Sequence, residues 1–115
     1  MRNAAVLGGD VHSFWVNDIR EDFARPSSPT IATEFVTTCL ASRNGPAALF
    51  DPAQALNPHV RFIDNSHAGY VLLDVGQKEL TGDLRAVRDL TDPASAAYSL
   101  GRVVVADGRP GGVMA

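Results

Sequence analysis

Ala4-Ala5-Val6-Leu7-Gly8-Gly9-Asp10-Val11-His12-Ser13-Phe14-Trp15-Val16 sets a short apolar run against a glycine pair, then a carboxylate and an imidazole two residues apart. Four consecutive apolar residues closed by Gly8-Gly9 predict a strand buried on both faces that ends in a permissive backbone turn. If the chain stays extended beyond it, Val11, Ser13 and Trp15 fall on one side and Asp10, His12 and Phe14 on the other. The two ligand-type side chains are then expected to share a face.

In layered α/β proteins ligands gather beyond strand carboxyl ends, and glycines let a cation or phosphate approach the backbone closely. A carboxylate and a neutral imidazole in this spacing supply a hard oxygen and a nitrogen to a divalent or trivalent ion. The same two residues also fit a structural reading, a hydrogen-bonded turn carboxylate with a half-buried histidine. A single metal site takes about three or more protein ligands, so Asp10 and His12 alone fall short. His59, after Asn57-Pro58, and His67, in Asp64-Asn65-Ser66-His67, read as solvated loop or strand-end residues.

Cys39, the one cysteine, lies in a strand pattern without a nucleophile signature and reads as a small buried apolar residue. It excludes an internal disulfide and a cysteine-rich zinc site. Phe14 and Trp15 read as core, with a pocket wall as the other use of large aromatics beside a histidine. Asn17-Asp18-Ile19-Arg20-Glu21-Asp22 reads as a solvated, self-paired face. Gly108-Arg109-Pro110-Gly111-Gly112 lacks a following helix, is no phosphate loop, and reads as an exposed tail.

Arg25-Pro26-Ser27-Ser28-Pro29 is a loop, and Thr30 to Ala41 alternates as a strand. From Asn44 to Pro58, Asp51 as a capping carboxylate before Pro52 predicts one short helix or two single turns. Val60 to Ile63, Gly69 to Val75, Leu84 to Leu90 and Ser99 to Ala106 predict a β-meander, with Asp64-Asn65-Ser66 and Thr81-Gly82-Asp83 as turns. The chain of 115 residues, 45% hydrophobic, holds apolar material for one core. Ten basic against thirteen acidic residues, a net charge of −3, supply no field that gathers nucleic acid or an anionic membrane. No apolar run approaches the roughly 18 residues that span a bilayer, and the start is too short for a signal-peptide core; as written the chain reads as soluble, with no nucleic-acid or membrane partner.

Leu7-Gly8-Gly9-Asp10-Val11-His12-Ser13-Phe14-Trp15, then Ala32-Thr33-Glu34-Phe35-Val36, Asn57-Pro58-His59-Val60 and Gly69-Tyr70-Val71, in this order and spacing, resemble the carboxy-terminal part of D-type (PhoD-like) alkaline phosphatases. Val103 to Gly111 resembles the last strand and exit of that family's catalytic domain. The resemblance implies an α+β, β-rich fold, part of a metallophosphoesterase-like layered β-sandwich with few short helices, over residues 1–111, with 112–115 as a tail. It implies hydrolysis of phosphate mono- or diesters at a metal centre, with calcium and iron as the cofactors and Asp10 and His12 as metal ligands. It also implies an exported, periplasmic or extracellular protein.

Family members are several times longer, and their earlier aspartate, asparagine, tyrosine and cysteine ligands precede this strand; Cys39 follows the motif and is not equated with that cysteine. The chain is therefore expected to be a fragment, inactive alone, whose partner is the missing amino-terminal part. Two other readings stand beside it: a free-standing β-rich binding module with a structural Asp-x-His turn, and a small metalloenzyme completed across a homodimer. The fragment reading further expects the strand Ala4 to Leu7 to leave an unpaired edge and an uncovered apolar face, open to homo-oligomerisation.

Overall fold

Phe14, Val16 and Asp18 are buried while Trp15, Asn17 and Ile19 between them are partly open, the period-two pattern of a strand with one face in a core. In the computed structural model, which describes residues 3–50 and 52–115, these residues form β2 (Phe14–Arg20). It runs antiparallel to both β3 (Thr30–Val36) and β4 (Val60–Asp64). The remaining strand of this sheet, β1 (Ala4–Gly8), lies parallel to β3, giving the order β1-β3-β2-β4.

The second sheet is an antiparallel meander of β5 (Ala68–Val75), β6 (Glu79–Val87), β7 (Ala97–Ala106) and β8 (Val113–Met114). Phe14, Val16 and Phe35 of the first sheet meet Leu84, Val103 and Val105 of the second in one buried cluster. Each large side chain removed from water there contributes about 1.5–3 kcal/mol, and this cluster holds the two sheets together. Helix is confined to two four-residue elements, α1 (Ala47–Phe50) and α2 (Ala53–Leu56). They match the two-turn reading of that region. Asp51, read as the cap, lies outside the described residues, and Pro52 stands at the α2 N-cap without a side-chain capping bond. Among the described residues no helix is long and apolar enough to cross a membrane.

Several expectations are corrected. The Ala4 to Leu7 run is not buried on both faces: β1 is an outer strand paired only with β3, and Val6 and Leu7 are 43% and 65% exposed. The open edge and bare apolar face foreseen for this strand are therefore present. The strand from Thr30 ends at Val36, before Cys39. Thr81-Gly82-Asp83 is no turn but the middle of β6, where Gly82 pairs with Leu73 and Val103. A Cβ on Gly82 would lie 2.5 Å from Phe35 Cε1, so the residue is small because the Phe35 ring of the facing sheet packs onto it, not because the backbone bends.

The acidic stretch also divides. Glu21 and Asp22 do pair with Arg25 at the surface, but Asp18 is 1% exposed and is ion-paired with Arg61. A register shift opposite Val16 and Asn17 leaves Arg61 as the extra residue of β4, which brings its guanidinium to Asp18. Nor is Gly108 to Gly112 a loose tail. Gly111 N–H donates to Thr33 Oγ1 at 3.0 Å, a Cβ on Gly112 would lie 2.6 Å from Val103, and β8 follows on the edge of β7.

Candidate metal centre

Because β3 lies between β1 and β2, the chain leaving β1 must cross the end of β3 and reverse direction within residues 9–13. Two strand spacings amount to roughly 9–10 Å, and the crossing is made with Asp10 at φ 71° and His12 at φ 61°. Both lie in the left-handed region, which Asp and His tolerate better than most non-glycine residues. The extended backbone assumed for Asp10 to Ser13 is thus replaced by a bend, and strand alternation does not decide where these side chains point. Asp10 and His12 both sit on this arch, set over the carboxyl ends of the parallel pair β1 and β3.

The arch is tied down on its inner side. Ser13 and Phe14 are fully buried, and Trp15 Nε1 donates to Ser13 Oγ at 2.7 Å while its ring packs edge-on to Phe50. Phe14 is core; Trp15 is fixed against α1. Thr37 N–H donates to Gly8 O at 3.0 Å, and Asn44 Nδ2 donates to His12 O at 2.8 Å. Left-handed non-glycine residues cost about 1–3 kcal/mol each and persist only where the surroundings over-determine them, which these bonds do.

His12 is half-buried, with Nδ1 2.8 Å from the carbonyl oxygen of Arg43. A carbonyl only accepts, so Nδ1 carries a proton, which in the neutral ring puts the lone pair on Nε2; Ser42 Oγ stands 3.3 Å from Nδ1 and 3.4 Å from Nε2. This is the second contact that orients a ligating imidazole in metal sites. Asp10 is exposed, and among the described residues its carboxylate makes no hydrogen bond. Two donors of the right chemistry therefore stand at one arch, but among the described residues no three His, Cys, Asp or Glu side chains group closely enough to hold a metal.

The other candidates lie elsewhere. His59 packs edge-on to Phe23, and its carbonyl accepts from Asp18 N–H, far along β2 from the arch. Cys39 is buried, with Sγ donating to Ser42 O, as read. His67 pairs with Asp64 through Nδ1 at 2.9 Å. Ser42, Arg43 and Asn44, which fix His12, were not legible as site residues: Asn44-Gly45-Pro46 signals a chain break, but not where the amide and carbonyls before it will be used.

The geometry can be set beside known proteins. The chain is 36% identical over 99 residues to alkaline phosphatase D of Bacillus subtilis (strain 168), covering 84% of this chain and 17% of that protein. A solved structure described as that of PhoD superposes with a TM-score of 0.86 at 31% identity, covering 99% of this chain and 22% of the other. The chain thus spans about a fifth of the length of these relatives, and its two sheets superpose on part of the solved structure. A family model described as PhoD-like phosphatase matches residues 1–84, and with it the chain that carries the Asp10–His12 arch belongs to the PhoD-like phosphatase family.

Proposed function

We propose that this chain contributes Asp10 and His12 to the metal centre of a phosphatase that hydrolyses phosphate mono- or diesters, and that it is inactive by itself. The observation that carries the reading is the His12 contact: Nδ1 held by the Arg43 carbonyl leaves Nε2, beside Ser42 Oγ, as the nitrogen to ligate, two residues from a carboxylate that has no hydrogen-bond partner among the described residues. The donor set fits calcium and iron, one hard oxygen with one imidazole nitrogen. When bound, such ions polarise phosphoryl oxygens and lower the pKa of water. Asp10 supplies negative charge at the arch; His12 supplies the nitrogen; Arg43 and Asn44 keep the arch in place.

Two ligands do not make a site, so the remaining ones come from parts of the relatives that lie outside these residues. The exposed edge of β1 is where further strands of a metallophosphoesterase-like sandwich would pair, or a second copy in their absence. A free-standing binding module is disfavoured by the family match. In a full-length member carrying this segment, Asp10→Asn should cut kcat/KM for an aryl phosphate by about a hundredfold or more. The 115-residue chain alone should show negligible metal-dependent hydrolysis. Full activity in the Asp10→Asn enzyme would defeat the reading.

A further inference from the structure

Beside the arch, on the other side of Asn44, opens a cavity of about 580 Å³. Asn44 Nδ2 donates to the carbonyls of both His12 and His67, at 2.8 and 3.0 Å, so one side chain joins the two corners. Within the cavity the half-buried His67 is braced: Nδ1 meets both oxygens of Asp64 at 2.9–3.0 Å, and its ring stands edge-to-face with that of Tyr98. Arg88 lies over the Tyr98 ring, 4.9 Å from its centroid. Among the described residues its guanidinium has no carboxylate partner and no hydrogen bond. Asp89, the carboxylate on the rim, is engaged instead by Thr91 N and Oγ1, at 2.8 and 2.6 Å.

We propose that this cavity is a metal-independent oxyanion subsite for a phosphate or phosphonate group. The planar guanidinium, stacked on an aromatic ring and unpaired, offers a fork of donors that matches two anion oxygens. His67 lines the same cavity; with Nδ1 held against Asp64, Nε2 is its free ring nitrogen, and a proton there would donate to an approaching oxyanion. The choice of phosphate rests on the phosphatase reading above; the donors themselves need no metal.

The test is an NMR titration of the 115-residue chain in EDTA with inorganic phosphate and, separately, with phenylphosphonate, following Arg88 Nε–H, the His67 ring and the Tyr98 ring. Saturable, joint shifts of these three groups are expected, with Asp10 unmoved. Arg88→Gln, an exposed position that leaves the fold intact, should weaken binding about tenfold or more. A response to both anions assigns the subsite to the ester substrate, and one to inorganic phosphate alone assigns it to the released product. No saturable shift, or equal affinity in Arg88→Gln, overturns the proposal. Loss of activity in a full-length Asp10→Asn enzyme is read independently, so failure of one does not imply failure of the other.

Discussion

Asn44 Nδ2 donates to the carbonyl oxygen of His12 at 2.8 Å, and the same nitrogen reaches His67 O and Thr38 Oγ1 at 3.0 and 3.2 Å. One amide therefore holds a left-handed residue in place and joins two loops. Asn44→Ala strips the donor from partly buried carbonyls, which costs about 1–3 kcal/mol. The urea midpoint should fall with the slope unchanged; an unaltered midpoint would mean that the arch is held by other contacts.

The Phe35 ring of the first sheet lies directly over Gly82 of the second. Gly82→Ala forces a Cβ to within 2.5 Å of the ring and should destabilise the fold by about 1–3 kcal/mol through overpacking. Phe35→Leu in the same chain should recover part of that loss by making room. Additive losses in the double variant would show that the two positions do not meet.

Asp18 and Arg61 form the one ion pair that reaches a fully buried carboxylate among the described residues. Arg61→Met leaves Asp18 buried without its cation and should cost about 3 kcal/mol. Replacing both, Asp18→Asn with Arg61→Met, should cost less than Arg61→Met alone. Equal thermal midpoints for Arg61→Met and the parent chain would contradict the pairing.

The hydrogen bonds from the Thr91 hydroxyl and backbone N–H hold the Asp89 carboxyl below the ordinary carboxylate range. A depressed carboxyl stabilises the fold above its unfolded pKa and ceases to do so as pH falls through the folded one. Thr91→Val removes the larger contribution, and the Asp89 titration followed by NMR should move up toward the ordinary value. No movement would assign the effect to the backbone alone.

How far the sequence carried these conclusions depends on what each signal measures. The run of threonines and branched residues from Thr30 made β3 legible, though not its end at Val36; β2 was not legible past Val16, because Asn17 to Asp22 reads as a solvated face although Asp18 within it is buried. Glycine reports only the lack of a side chain. At Gly82 that lack serves a neighbour's ring, and at Gly112 it serves Val103 and Val16, so both were misread as turn or tail. Apolar content likewise does not reveal whether a strand lies at an edge, which is why β1 was expected to be buried. The Asp10-x-His12 spacing was readable, but the left-handed backbone that carries both residues was not, since a crossing over β3 is a property of strand order. Arg43 takes part through its carbonyl, which any residue would supply.

The most direct measurement is a long-range 1H–15N NMR correlation of the His12 ring in the 115-residue chain during titration with calcium and with ferrous ion. The account predicts that Nδ1 stays protonated on the Arg43 carbonyl, that Nε2 shifts or broadens with weak, saturable affinity, and that Asp10→Asn removes the response. A ring that ignores both ions at saturating concentration, or that binds them through Nδ1, would contradict it.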